Sequence, residues 1–179
     1  MKPFHLNIIF TLLISLAISG CQKTYIVSKS QDILFQIEYF SNAGAYSHWG
    51  LFIDVKGNVL TYNLPEKWNF PEENQTLNKQ EINENIAACK NSNRKIPLEE
   101  LQKYTNYIDN IAASKVTLPK NRISDTGTLS FYCYQYRESS FEYKRSVIKT
   151  EGHLNCENLN FYSKKVVSWM NEYQNVISR

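Results

Sequence analysis

The sequence predicts an α+β fold in which helices cover one face of an antiparallel sheet. Apolar residues alternate along residues 33–40 and 128–137, a period of two that is typical of half-buried strands. They recur three and four residues apart along residues 101–111 and 159–176, which is typical of amphipathic helices. Short turns between neighbouring strands favour antiparallel pairing. We therefore expect a two-layer sandwich: a twisted antiparallel sheet of about five strands, in the order βββααββα, with the helices packed on one face.

The first three strands are predicted from alternation and turn residues. The odd-numbered side chains of residues 33–40 are apolar, and residues 49–55 repeat the pattern. Gly57-Asn58 suits a two-residue hairpin turn, after which residues 59–64 form the returning strand. Residues 65–76 contain two prolines and an acidic pair, so we expect no regular structure there.

The apolar period then changes to that of a helix. Ile82, Ile86 and Cys89 share one helical face, which predicts a first helix over residues 78–89. The polar residues 91–94 are expected to end it.

The second half of the chain predicts two more helices and a strand pair. Pro97 suits the first position of a second helix. The apolar stripe of that helix consists of Leu101, Tyr104, Ile108 and Ile111. Residues 128–137 and 141–150 form strands joined by a short polar turn. The last helix presents Leu159, Tyr162, Val166, Trp169, Tyr173 and Val176 on one face. We expect the sheet face without helices to be tyrosine-rich and partly solvated.

The amino-terminal segment has the properties of a signal peptide. Residues 8–18 are apolar except for Thr11 and Ser15, and Lys2 supplies a positive charge before them. This run is about half the roughly 20 residues that a helix needs to cross a bilayer, which argues against a transmembrane anchor.

The end of this segment distinguishes two kinds of signal. Ile18-Ser19-Gly20-Cys21 resembles the lipobox of bacterial lipoproteins, in which an aliphatic and two small residues precede a cysteine. The resemblance implies that Cys21 receives a diacylglyceryl group, that the signal is cut before it, and that the new amino terminus is acylated by a fatty acid such as palmitate. The alternative is an ordinary secretory signal. Gln22 stands where an inner-membrane lipoprotein of enteric bacteria tends to have aspartate, which favours the outer membrane in a host that uses that rule.

The resulting domain organisation is simple. Residues 1–20 are the signal peptide that is removed, and residues 21–30 are the lipidated amino terminus and tether, whose apolar centre could instead dock on the domain. Residues 31–179 form a single globular domain.

The composition of the chain excludes two classes of protein. The chain is 42% hydrophobic and 21% charged with a net charge of +3, which argues against disorder and against nucleic acid as a partner.

The cysteines do not predict catalysis. With Cys21 lipidated, Cys89, Cys133 and Cys156 remain, so at least one cannot form an internal disulfide. These cysteines are either buried small apolar side chains, or two of them form one internal disulfide. Reactive thiolates need a helix amino terminus or cationic neighbours, which these positions do not offer.

Two further motifs are better explained as turns. His153-Leu154-Asn155-Cys156 contains one pair of metal ligands, whereas structural zinc needs two pairs. Asp125-Thr126-Gly127 matches the aspartic-protease tripeptide, but its upstream sequence is polar where those enzymes have apolar strands. We therefore predict no catalytic residues, no metal and no cofactor.

The remaining candidate is a set of loop aromatic residues. Tyr46, His48 and Trp49 lie where a loop meets a strand, and Trp68 and Phe70 lie in a proline-flanked loop. They form a possible binding surface for a protein or a glycan. Alternatively, they cover the open ends of a small core.

The sequence thus predicts a lipid-anchored protein of the bacterial cell envelope whose domain binds a partner without catalysing a reaction. The alternatives are an envelope hydrolase whose active-site residues are dispersed in the sequence, and a purely structural envelope component.

Overall fold

The computed structural model describes residues 25–121 and 127–177, which form nine strands and four α-helices. The strands are β1 (Ile33–Ser41), β2 (Ser47–Asp54), β3 (Asn58–Asn63), β4 (Thr76–Asn78), β5 (Lys90–Lys95), β6 (Lys120–Asn121), β7 (Thr128–Arg137), β8 (Glu142–Gly152) and β9 (Leu154–Glu157). The helices are α1 (Lys79–Ala87), α2 (Leu98–Thr105), α3 (Ile108–Ala112) and α4 (Ser163–Asn171). The strands form one antiparallel sheet in the order β5-β3-β2-β1-β7-β8-β9-β6, and β4 adds to β8. The fold is therefore α+β, as predicted.

The prediction of about five strands was wrong, because four of the nine strands in the described residues carry little alternation. β4, β6 and β9 have two to four residues each, which is too short for a periodic signal. β5 has the sequence KNSNRK and lies at an edge of the sheet, where charged side chains discourage pairing with another chain. Residues 91–94, expected only to end a helix, belong to this strand.

The predicted hairpin of β2 and β3 is confirmed, but its turn is formed by residues 55–57 instead of Gly57-Asn58, so it begins two residues earlier than expected. Ile53 pairs with Val59, and the backbone N–H of Gly57 donates to the Asp54 carbonyl at 3.1 Å. Gly57 has φ +80°, and a Cβ there would lie 2.4 Å from the carbonyl oxygen of Ile96. Only glycine suits this position.

Three helices pack on one face of the sheet. α2, α3 and α4 bury the predicted stripe of Leu101, Tyr104, Ile108 and Ile111 against β1, β2 and β7. Trp169 on α4 stacks on Tyr104, with ring centroids 4.2 Å apart, and meets Phe35 of the sheet edge-on at 5.2 Å. We call this the helix-covered face.

The first helix lies on the opposite face, which corrects the expectation that all helices share one face. Asn78 caps α1 through its side chain, and Glu81 returns the bond to complete a capping box. Ile82 and the neighbouring Trp68 pack on tyrosines of the sheet. These tyrosines are Tyr62, Tyr132, Tyr134, Tyr136 and Tyr143. The face is tyrosine-rich as expected, but α1 and the chain before it bury these rings instead of leaving them partly solvated.

The segment before β1 is docked on the domain. Ile26 forms an antiparallel bridge with Tyr136, in line with β1 along the same side of β7. The predicted signal peptide and lipobox, residues 1–21, lie outside the described residues. Within residues 25–121 and 127–177, none of the helices combines the length and the apolar character needed to cross a membrane.

Candidate functional site

Four of the five candidate binding residues come together around the ring of Phe40. Tyr46 and Phe70 each meet that ring edge-on, with centroids 5.8 and 5.6 Å away. His48 lies between Phe40 and Trp68, at centroid distances of 5.7 and 5.1 Å. We call these five residues the aromatic cluster. Two separate loops, before β2 and before β4, thus combine with Phe40 of β1 and His48 of β2 to form one contiguous group of rings.

Trp49 lies apart from the aromatic cluster. Successive side chains of a strand point to opposite faces of a sheet, so Trp49 and its neighbour His48 diverge. Trp49 stacks on Tyr39, with centroids 4.8 Å apart, and packs against the helix-covered face. Trp49 and Trp68 therefore do not share one surface.

A cleft of about 650 Å³ opens beside the aromatic cluster. β1, β7, β8 and β9 form its floor, and the loop around Phe70 and residues 116–119 form its walls. The apolar side chains that line it include Phe40, Phe70, Val116, Leu118, Val147 and Leu154. The polar side chains of the floor include Glu38, Ser130, Tyr132, Arg145, Thr150 and Cys156. Its volume is in the range of small-molecule sites.

The rim of the cleft presents apolar side chains to solvent. Leu118 is 86% exposed and Phe70 is 50% exposed, although the backbone around Leu118 is held in place. The N–H of Thr117 donates to the Glu157 carbonyl at 2.9 Å, and Val116 forms a bridge with Asn158. Clustered exposed apolar side chains on an ordered backbone are typical of an interaction site.

A buried charged network forms part of the floor. Nε2 of His48 lies 3.0 Å from Oε1 of Glu38, and the Arg145 guanidinium lies 3.0 Å from Oε2 of the same carboxylate. Arg145 also donates to Oε1 of Gln75 at 3.1 and 3.2 Å and stacks over the Tyr132 ring at 3.9 Å. Glu38 on β1, His48 on β2 and Arg145 on β8 thus join three strands through one carboxylate.

This arrangement keeps Glu38 ionised. Burial alone would raise the pKa of the Glu38 carboxyl, but the His48 hydrogen bond and the Arg145 charge outweigh it and lower the pKa. An ionised carboxylate only accepts hydrogen bonds, so Nε2 of His48 carries the proton. Nδ1 of His48 is buried and has no hydrogen-bond partner among the described residues. Glu38 is therefore unsuited to act as a general acid.

The tyrosines beneath the floor are also held in one protonation state. Tyr134 donates to Gln36 Oε1 at 2.5 Å, and Gln36 Nε2 donates to the Tyr62 hydroxyl at 2.9 Å. Burial raises the pKa of both tyrosines, so their hydroxyls remain protonated at neutral pH. They support the floor through hydrogen bonds.

The cysteines of the described residues are free thiols. Burial raises the pKa of Cys89 and of Cys133 to about 12, which leaves almost no thiolate at neutral pH. Cys156 lies in the cleft floor with its sulfur 3.2 Å from the Thr150 hydroxyl. None of these three thiols is hydrogen-bonded to a histidine in the described residues, as the thiol of an activated cysteine nucleophile would be.

Of the two motifs interpreted as turns, His153-Leu154-Asn155-Cys156 was interpreted wrongly, because its last three residues belong to strand β9. His153 is exposed between β8 and β9, while Cys156 is buried in β9. Across residues 25–121 and 127–177, no group of three His, Cys, Asp or Glu side chains is placed to hold a metal. Of Asp125-Thr126-Gly127, only Gly127 is described; a Cβ there would lie 2.5 Å from the Phe40 carbonyl oxygen.

Sequence reasoning missed Glu38, Arg145 and Leu118. Glu38 and Arg145 are 107 residues apart, and each resembles an ordinary solvent-facing position of a strand. The available signal was an acidic residue in the middle of the strongly apolar β1. Nothing local marked Leu118, which precedes a proline in a connection.

Comparison with known proteins found no relative: no protein-family model, no curated protein and no solved structure matches the chain significantly.

Proposed function

We propose that this protein is a bacterial envelope lipoprotein whose domain binds an apolar segment of a partner protein in the cleft, without catalysing a reaction. The lipid on Cys21 would hold it to a membrane, and Gln22 favours the outer membrane. The observation that carries the binding proposal is the cleft itself, where exposed Leu118 and Phe70 stand above a buried and internally paired floor.

The chemistry of the rim favours a protein segment over a glycan. Leu118 and Val116 are aliphatic and exposed, and they match apolar side chains better than sugar rings. The charged atoms of Glu38 and Arg145 are already bonded to neighbours within the domain. Fewer polar groups of the floor are therefore free to bond sugar hydroxyls.

Protonation states favour binding over catalysis. General acid–base chemistry needs a group whose pKa lies near the working pH. Glu38 is held ionised, and the Tyr62 and Tyr134 hydroxyls are held protonated. These groups stabilise the floor on which a ligand would rest.

The binding proposal is tested with a displayed random peptide library. Peptides selected on the wild-type domain are synthesised and titrated against Leu118→Ser and Phe70→Ser. Each substitution removes one exposed apolar anchor and should weaken binding about tenfold. Leu98→Ser is the matched control, because Leu98 is a 61% exposed leucine on α2 of the other face.

Peptides that bind the two cleft variants as tightly as wild type would overturn the proposal that the cleft is the site. Equal weakening by Leu98→Ser would do the same, because it would place the effect outside the cleft.

The anchor is tested separately. The protein is purified from bacterial membranes, and its amino-terminal peptide is analysed by mass spectrometry. We expect an acylated cysteine at the new amino terminus and a soluble chain for Cys21→Ser. An unmodified Cys21 in the mature protein would refute the lipid anchor and leave the cleft proposal standing.

A further inference from the structure

The chain is fixed to the domain from Tyr25 onward. The N–H of Tyr136 donates to the Ile26 carbonyl at 2.9 Å, and the N–H of Val27 donates to the Asp109 carboxylate at 3.1 Å. The Tyr25 hydroxyl donates to Glu142 at 2.9 Å, and the Arg137 guanidinium covers its ring at 4.4 Å. Residues from Tyr25 onward, predicted to belong to a tether, are therefore part of the folded domain.

This docking limits the distance between the lipid and the domain. Cys21 precedes Tyr25 by four residues, and four extended residues span at most about 14 Å. So short a connection keeps Tyr25, and the end of the domain on which it is docked, within about 14 Å of Cys21.

Exposed apolar side chains lie where that connection begins. Phe141 is 66% exposed at the tip of the β7–β8 hairpin, and Ile26, which pairs with Tyr136 of the same hairpin, is also exposed. Phe141 has φ +53°, a left-handed conformation that is unusual for a bulky residue, and its carbonyl accepts from the N–H of Lys79 at 2.8 Å. We call Tyr25, Ile26, Phe141 and Lys144 the anchor-side surface.

The charges around this surface suit lipid headgroups. Lys79 pairs with Asp32, and Arg137 pairs with Glu142. Lys144 lies over the Tyr25 ring at 5.4 Å and, among the described residues, has no ion-pair partner. Exposed Glu138 accepts from the Ser28 hydroxyl, and Lys29 next to Ser28 is an exposed cation that offsets it. Cations beside apolar side chains suit an interface that contains anionic lipid.

We propose that the anchor-side surface lies against the lipid bilayer, with the rings of Phe141 and Tyr25 at the headgroup level and Lys144 among the phosphates. The inference rests on the proposed lipid at Cys21. Amphipathic and aromatic side chains are stable at this depth, because the ring leaves water while the polar tip stays hydrated.

This orientation holds the aromatic-cluster end of the cleft away from the membrane. β7 runs from Thr128, at the cleft, to Arg137, beside Tyr25, and its ten residues span about 30 Å. Phe40 and the aromatic cluster pair with the Thr128 end. A partner in the cleft would therefore approach from the aqueous side.

Photo-crosslinking tests the orientation. The photoreactive amino acid p-benzoyl-phenylalanine replaces Phe141 or Ile26, and Phe70 or Tyr46 as controls in the aromatic cluster. The full chain is processed in bacteria, purified and reconstituted in vesicles of phosphatidylethanolamine and phosphatidylglycerol. After irradiation, mass spectrometry measures lipid adducts at each position and acylation at Cys21 in the same sample.

We expect lipid adducts at positions 141 and 26 and about tenfold fewer at positions 70 and 46, since the Thr128 end of β7, where the aromatic cluster lies, is about 30 Å from Arg137. An acylated chain with equal or greater adduct yield at positions 70 and 46 would overturn the orientation while the anchor stands. A chain without acylation would refute the anchor itself, and with it this inference.

Discussion

His48 and Glu38 lie side by side beneath the cleft, with Nε2 of the histidine 3.0 Å from Oε1 of the carboxylate. Arg145 bonds the second oxygen at the same distance. A buried carboxylate is tolerated only when its charge is paired and its oxygens are bonded. The three residues therefore stabilise the sheet together, and removing one should affect the other two.

Glu38→Ala should destabilise the domain strongly. It leaves the Arg145 charge and the His48 ring buried without their shared acceptor, a change that typically costs about 3–5 kcal/mol. Urea unfolding followed by circular dichroism measures the free energy of unfolding. Glu73→Ala, an exposed glutamate in the loop before β4, should leave this free energy nearly unchanged. Similar losses for both variants would contradict a buried charged network.

The same carboxylate should make stability depend on pH in the acidic range. The pKa of Glu38 is lowered in the folded protein from its ordinary value of 4.5, so the unfolded chain binds its proton first as the pH falls. Its contribution to stability is complete above that ordinary value and is lost as the pH falls through the folded pKa.

The measurement compares wild type with Glu38→Gln, which cannot titrate at this position. The difference in the free energy of unfolding should be constant from neutral pH to about pH 5 and should shrink below about pH 4. Other acidic groups titrate alike in both proteins and cancel in the comparison. A difference that stays constant down to acid pH would show that folding does not lower the pKa of Glu38.

Cys89 and Cys133 should resist alkylation in the native protein. A pKa of about 12 leaves roughly one thiolate in a hundred thousand at neutral pH, and Cys133 is also buried. Iodoacetamide followed by peptide mass mapping should find both cysteines unmodified in the native state and modified in urea. Ser168→Cys, on the exposed side of α4, supplies a thiol that should react in the native protein. Native-state modification of Cys133 at the rate of that control would contradict its burial.

Parts of the fold were predictable because their signals are local. The ten residues of β7 match the predicted strand at both ends, since its apolar residues and the flanking turn residues define it unambiguously. β9 has only four residues, so it carries too few alternations to be distinguished from a turn. The apolar face of α1 was predictable, but which side of the sheet it covers depends on the connection before it.

The candidate site was predictable only where neighbouring residues supply it. Tyr46 and Phe70 could be selected because they are aromatic residues on loops, where binding residues are common, and His48 was selected through its neighbour Tyr46, although it is buried in β2. The charged floor could not, because Glu38 meets Arg145 across 107 residues and only the pairing of β1, β7 and β8 brings them together. Trp49 was grouped with them through its sequence position, yet the alternation of strand side chains places it on the other face.

Gly50→Ala should separate β1 from β2 beneath the aromatic cluster. A Cβ at position 50 would lie 2.1 Å from the Ile37 carbonyl oxygen and 2.5 Å from the Tyr62 hydroxyl. The backbone oxygen cannot move without breaking the pairing of Glu38 with Gly50, and Tyr62 is held by its bond to Gln36. Overpacking of this kind should cost about 2–4 kcal/mol, measured by urea unfolding.

Gly44→Ala separates this clash from the general effect of replacing glycine. Gly44 has φ +70° in the loop before β2, and nothing lies within 4 Å of a Cβ there. Alanine at that position meets only backbone strain, so its cost should be about 1 kcal/mol. The near-ultraviolet circular dichroism of the aromatic cluster should change in Gly50→Ala and not in Gly44→Ala, because only the first displaces Tyr62, which packs on Trp68 with ring centroids 4.2 Å apart. Equal destabilisation and equal spectra for the two variants would mean that β1 and β2 do not approach each other as closely as the contact at Ile37 requires.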